Sequence, residues 1–175
     1  MRAPEPTFIA DAMLGRLARS LRMLGYDVSY RPHIDDVELK REAVRERRVI
    51  LTRDNEVAAT RLPVRVVLIE SDDHGEQLKQ VVRQLELSVR GARFTRCLVC
   101  NVPVESVPKE EVEGDVPPYV YATQERFARC PRCGRIYWAA THVANAERWL
   151  DELLGAGGST GGGGRGAEGS DGEPD

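Results

Sequence analysis

The sequence is short of nearly everything that would place it in a membrane or outside a cell. No apolar run approaches the roughly 18 to 20 residues needed to span a bilayer, and the stretch Phe8 to Leu14 is broken by Asp11. Neither a membrane span nor a secretory signal is expected, and a cytoplasmic protein is. Excess charge of one sign is also lacking: 25 Lys and Arg stand against 28 Asp and Glu, a net of -3. That balance excludes a basic coat, so any nucleic-acid contact must come from local arrangement of charge. Glycine is sparse until the end, where residues 155–175 hold ten of the sixteen, with four acids and one base. This segment carries the whole -3, and with so little apolar surface to offset the entropy of ordering it is predicted to be a disordered, Gly-rich acidic tail.

The 175 residues allow one domain or two small ones. From Thr7 to Arg93 short apolar runs alternate with amphipathic stretches. Strands are predicted at Thr7–Asp11, Tyr26–Tyr30, Val49–Thr52 and Val64–Ile69, and helices at Ala12–Leu24, Val37–Arg48, Asn55–Leu62 and Glu76–Leu87. The alternation argues for an α/β fold with a parallel sheet flanked by helices, whose ligands collect at the carboxyl ends of the strands. Acids stand there: Asp11 after the first strand, Asp35 and Asp36 after the second, Asp54 after the third, Asp72 and Asp73 after the fourth.

Gathered carboxylates repel one another unless a cation neutralises them, and hard ions such as Mg²⁺ or Mn²⁺ accept such oxygens. An ion of this kind assists phosphodiester hydrolysis. Simpler readings compete. Asp35 with Glu38, and Asp73 with Glu76, have capping-box spacing, whereas Asp11 and Asp54 follow directly on apolar strands with no evident need of a cap. Arg16, Arg19 and Arg22 recur every three positions on the side of the first helix away from its leucines, and Arg53 precedes Asp54. Such a run is ordinarily a solvated face, but Arg16 and Arg53 lie nearest the acids, and guanidinium forks match phosphate oxygens. A phosphoacceptor receiver domain also sets acids at strand ends, but the adjacent acids after the first strand and the lysine after a fifth are missing.

At about Phe94 the character changes. Seven of the ten aromatic residues lie between Phe94 and Trp149, with Cys97/Cys100 and Cys130/Cys133. Paired Cys-x-x-Cys knuckles describe a closed four-sulfur zinc site, structural because no position is left open for substrate, and a staple that a unit of about sixty residues needs. A redox dithiol is the main competitor, and His142 a weaker alternative ligand. The spacer of twenty-nine residues between the knuckles must accommodate an excursion around Pro108 to Pro118. An amphipathic helix is predicted over His142–Leu154. The expected organisation is residues 1–93, residues 94–154 with the terminal helix, and the tail.

The runs Asp11-Ala-Met-Leu-Gly-Arg-Leu-Ala-Arg, Ile34-Asp-Asp36, Leu51-Thr-Arg-Asp54, Ser71-Asp-Asp73, Arg96-Cys-Leu-Val-Cys-Asn101 and Cys130-Pro-Arg-Cys-Gly-Arg-Ile-Tyr-Trp138 resemble the Mut-seven C-terminal ribonuclease domain family, from about Phe8 to Leu154. The resemblance implies a PIN-like nuclease core followed by a zinc ribbon. It further implies a metal-dependent ribonuclease, an endonuclease by expectation. Asp11, Asp36 and Asp54 would then be both catalytic and Mg²⁺ or Mn²⁺ ligands, with Asp73, or Asp72, as a fourth acid. Ser20 departs from the Trp common in the family, which bears on local packing or a contact. The ribbon aromatics Tyr119, Tyr121, Phe127, Tyr137 and Trp138 would either stack RNA bases or fill a small core around zinc. The alternative function is a non-catalytic RNA- or protein-binding module on the same scaffold.

Overall fold

The computed structural model describes residues 5–139 and 141–155. The predicted tail from residue 156 on, and the side chain of His142, lie outside the described residues. Four short strands, β1 (Phe8–Ala10), β2 (Val28–Tyr30), β3 (Val49–Thr52) and β4 (Val66–Leu68), form a sheet in the order β2-β1-β3-β4, parallel throughout. A 3-10 turn at Ala12–Leu14 leads into α1 (Gly15–Met23), and α2 (Asp36–Glu46), α3 (Asn55–Ala59) and α4 (His74–Gln84) make the remaining connections. The parallel α/β architecture expected from the alternating pattern is therefore present.

Because both faces of such a sheet are covered, its strands are apolar on both sides. Phe8, Ala10, Val28, Leu51 and Val67 face a core shared with Leu17 and Leu21 of α1 and Leu78 and Val81 of α4. Ile9 and Ile50 face the opposite way, against Leu39 and Ala43 of α2 and Val57 of α3. Helix α1 ends where Gly25 takes a left-handed φ of +96°, with the Tyr26 amide donating to the Leu21 carbonyl and the Gly25 amide to the Arg22 carbonyl. This arrangement satisfies the last carbonyls of the helix. A Cβ on Gly25 would stand 2.3 Å from the carbonyl oxygen of Ala92, so the position is closed to any other residue.

The ribbon is an antiparallel sheet of β5 (Glu105–Val107), β6 (Phe127–Arg129) and β7 (Ile136–Trp138), with β6 central. The long spacer is taken up by a 3-10 turn at Lys109–Val112 and by α5 (Pro118–Thr123). Val112, Val116 and Val120 from this excursion close over Phe127 in a small core of their own. The last helix, α6 (Thr141–Gly155), follows the ribbon in the chain but packs on the α/β unit, where Leu150 is fully buried with α1 and α4.

Ribbon and sheet are sewn together along β2, an edge strand whose backbone groups have no neighbour on one side. Asn101 Oδ1 accepts from the Val28 amide at 2.9 Å, and Arg22 donates to the Val28 carbonyl through Nε at 3.1 Å and Nη2 at 2.7 Å. The other arm of the same guanidinium reaches the first cysteine knuckle, with Nη1 donating to the carbonyls of Leu98 at 2.8 Å and Val99 at 3.2 Å. Arg96 repeats the pattern, from the Gly25 carbonyl at 2.9 Å to the Asn101 carbonyl at 2.6 Å. The arginine stripe read from the sequence is corrected at this point: Arg16 and Arg19 are exposed, but Arg22 is buried in the seam.

Arg22→Met keeps the volume of the stem but leaves the Val28 carbonyl without its side-chain donors. Hydrogen bonds from charged donors contribute about 1.5 to 3 kcal/mol each, so urea unfolding is expected to show a loss of about 3 kcal/mol at nearly unchanged slope.

Candidate functional site

In the order β2-β1-β3-β4, the chain steps from β1 outward to β2, then crosses back past β1 to β3 and on to β4, so the switch point of the sheet lies between β1 and β3. Asp11 and Asp54 sit immediately beyond these two strands. Asp11 is buried, with Oδ1 accepting from the Ala12 amide and Oδ2 from the Thr52 hydroxyl, both at 2.6 Å. Thr52 Oγ1 in turn accepts from the Asp54 amide at 3.0 Å. One fully buried hydroxyl thus ties the two acids across adjacent strands, and Thr52 is the site residue that the sequence reading passed over. Its signal was there: a polar residue ending an otherwise apolar central strand.

Both acids also cap. Asp11 caps the 3-10 turn, and Asp54 Oδ1 accepts from the amides of Glu56 at 2.6 Å and Val57 at 3.2 Å at the start of α3. The expectation that neither acid was needed as a cap is corrected accordingly. A cap engages one carboxylate oxygen and leaves Asp54 Oδ2 for other work.

The remaining acids divide. Asp35 is the N-cap of α2, accepting from the Glu38 amide at 2.8 Å, while Asp36 in the first turn is exposed and makes no hydrogen bond among those found in the described residues. Asp36 lines an open depression with Asp35, Val37, Glu38 and Arg41. Asp73 caps α4 through the Glu76 amide at 2.9 Å, as capping-box spacing predicts, and Asp72 is ion-paired with Arg53. All of these lie at the carboxyl edge of the sheet, yet the structure does not draw Asp11, Asp36 and Asp54 into one ligand cluster. Among the described residues, four cysteines make the one such group. The donor set at the sheet edge is nevertheless carboxylate oxygen throughout, the chemistry a hard divalent ion takes, and like charges draw together there only around a cation.

Behind this edge, His74 opens α4. Its Nε2 lies 3.2 Å from the Arg16 carbonyl and 2.9 Å from Ser20 Oγ. With the proton on Nε2 the ring donates to the Arg16 carbonyl, and with it on Nδ1 the ring accepts from the Ser20 hydroxyl. Ser20, the departure from the family pattern, is buried and spends its hydroxyl on this contact. Burial lowers the His74 pKa, against the opposing pull of the Arg16 carbonyl. The imidazole stacks on Trp149 of α6, with centroids 5.3 Å apart and planes at 4°.

The second candidate centre is the knuckle pair. The four Sγ atoms lie within 4.8 Å of one another, and those of Cys97 and Cys133 are 3.8 Å apart. Sulfurs about 2.3 Å from a tetrahedral ion stand about 3.8 Å apart, so the set fits zinc. Cys97 Sγ accepts from the Tyr137 hydroxyl at 3.1 Å and from the Cys100 amide at 3.3 Å. Burial alone would raise the Cys97 thiol, but these donors outweigh it and bring it down to about 6, while its neighbours, Cys133 first, push Cys100 up to about 12.

Of the five ribbon aromatics, Phe127 is buried, Tyr121 and Trp138 pack on its cluster, and Tyr137 is committed to Cys97. Tyr119 alone of the five is largely exposed, at 71%.

Acids at the switch point of a parallel sheet, with a four-cysteine ribbon bonded to the side of that sheet, define an α/β protein carrying a metal-binding ribbon. Residues 6–150 match the family model of the Mut7-C RNAse domain, and the chain belongs to that family. No curated protein and no solved structure matches it. Among the described residues no helix is long and apolar enough to cross a membrane.

Two outcomes are expected here. Cys130→Ser should abolish zinc content measured by elemental analysis and remove about 3 kcal/mol of stability, roughly a 10 °C fall in melting temperature. For His74, whose folded pKa lies below the ordinary 6.5, the unfolded chain takes up the proton first on acidification. Its contribution is whole above pH 6.5 and declines as pH falls toward the folded value, by at most about 1.4 kcal/mol per pH unit. His74→Gln should flatten that part of the urea midpoint against pH.

Proposed function

We propose that this chain is a metal-dependent ribonuclease that cleaves RNA phosphodiester bonds within the strand, working in a reducing, cytoplasmic compartment. The observation that carries this reading is the Asp11–Thr52–Asp54 link at the β1/β3 switch point in a chain of a ribonuclease domain family. In this reading Asp11, Asp36 and Asp54 hold Mg²⁺ or Mn²⁺, and Asp73 stands beside them as a fourth acid. The ion, when bound, supplies the positive charge that activates water and stabilises the developing charge on phosphate. The protein's own part is positional. Thr52 fixes the buried Asp11 carboxylate against Asp54, the exposed Asp36 stands in the first turn of α2, and Arg16 and Arg53 hold phosphate oxygens. The cysteine ribbon binds structural zinc and braces the β2 side of the sheet, with Tyr119 free to stack a base.

A non-catalytic RNA-binding module is the second reading, favoured by the spread of the acids over separate depressions. Asp54→Asn separates the two. Asparagine also caps helices, so α3 should survive, and Mn²⁺-dependent cleavage of labelled RNA should fall at least about a hundredfold with the melting curve unchanged. Cleavage retained by the variant, or absent from the parent with Mn²⁺ and with EDTA alike, overturns the nuclease assignment.

A further inference from the structure

At the carboxyl edge of the sheet lies a groove of about 540 Å³ whose lining includes Arg16, Arg53, Asp72, Asp73, His74 and, from α6, Trp149. Its volume falls within the range of small-ligand sites, and its lining is unusual in two respects. Arg53 is only half used: Nη1 pairs with Asp72, while the buried Nε has no hydrogen-bond partner among the described residues. The carboxylate it holds is 86% exposed, so that pair is a surface pair of little strength. The same groove is lined by two rings stacked on each other, His74 held by Ser20 and the Arg16 carbonyl, and Trp149 held by the packing of α6 on the core, so a base can add to the stack only on an outer face. Guanidinium groups and aromatic rings lining one groove are the parts by which a single strand is gripped, phosphate on the cation and base on the ring.

We propose that this groove is the subsite for one nucleotide of RNA flanking the cleaved bond. Its phosphate takes Arg53 and Arg16, its base lies against the His74–Trp149 pair, and Asp72 occupies Arg53 until the strand displaces it. Asp72 is then a built-in competitor of the substrate, not a metal ligand. The inference rests on the ribonuclease reading for the identity of the strand.

The test uses the full chain carrying Asp54→Asn, a fluorescein-labelled oligouridylate and fluorescence anisotropy over a salt series. Arg53→Gln should weaken binding about tenfold and flatten the slope of log affinity against log salt by about 0.7, the value for one single-strand phosphate. Asp72→Asn should tighten binding about threefold by freeing the fork. Trp149→Phe, which keeps a ring in the core, should weaken it about threefold. In a Trp138→Phe background, the remaining indole should be quenched by the oligonucleotide. Unchanged affinity and slope in both Arg53→Gln and Asp72→Asn overturn the subsite. If those responses appear while the parent chain cuts no RNA, the nuclease reading fails and the subsite stands. If the parent cuts and the responses are absent, the subsite fails alone.

Discussion

The exposed edge of β2 is the constraint around which the rest of the molecule is arranged. An edge strand offers amides and carbonyls that must find water or a partner, and Val28 is fully buried, so water is not available to it. The first knuckle supplies the partner through Asn101 and, with Arg22, fixes the ribbon against the sheet. Asn101 holds a left-handed backbone, φ +66°, which turns its side chain from the knuckle toward the strand. Its amide nitrogen also donates to Asp27 at 2.8 Å, and Arg48 pairs with the same carboxylate. Burial would raise the Asp27 pKa, but these two donors hold it below the ordinary value. Sheet edge and knuckle thus share one polar network whose every strong acceptor has a donor.

The charge of that network bears on the metal. Thiolates around a divalent ion leave an excess of negative charge, and placing it on the flank of an apolar core is costly without a counterion. Arg22 is that counterion. Burial lowers its pKa, and the charges of Cys97 and Asp27 offset part of that penalty. Ribbon and nuclease unit consequently depend on each other: the ribbon closes the sheet, and a residue of α1 balances the ribbon. The chain then returns through α6 to bury Leu150 between α1 and α4, which places Trp149 over the carboxyl edge of the sheet.

The fold was largely legible because its signals are local. Leu14, Leu17, Leu21 and Leu24 mark α1 by period, Gly25 marks its end, and the β-branched run from Val64 marks β4. The cysteine spacing picked out the four residues whose sulfurs gather at the second centre, and Asp35 and Asp73 behaved as their capping spacing said. What stayed hidden depends on residues far apart in sequence. Arg22 looked like part of a solvated stripe because periodicity reports which side of α1 faces the leucines, not that Leu98 and Val99 come to rest against the other side. Thr52 was quoted only as part of a motif, since a lone hydroxyl acquires meaning only when β1 is laid beside β3. Trp149 read as an apolar position of an amphipathic helix, and nothing local sets it against His74, seventy-five residues earlier.

The net charge of -3 belongs to residues 155–175, and the remainder is uneven: Met1 to Arg93 holds seventeen bases and fifteen acids. Pairing decides what those charges are worth at the sheet edge. Arg31 is drawn to Glu42 and Glu38, Arg48 to Asp27 and Glu46, and Arg22 into the seam. Arg16 makes no ion pair among those found in the described residues, and Arg53 meets only the exposed Asp72. Of the arginines near the acids, these two can therefore change partner at small cost. A multivalent phosphate backbone competes well for a guanidinium held by one solvated carboxylate, and poorly for one buried among carbonyls. Most acids of the sheet edge are committed, Asp11, Asp35, Asp54 and Asp73 as caps and Asp72 as the partner of Arg53, so a nearly neutral chain can still offer two weakly held guanidinium groups to one groove.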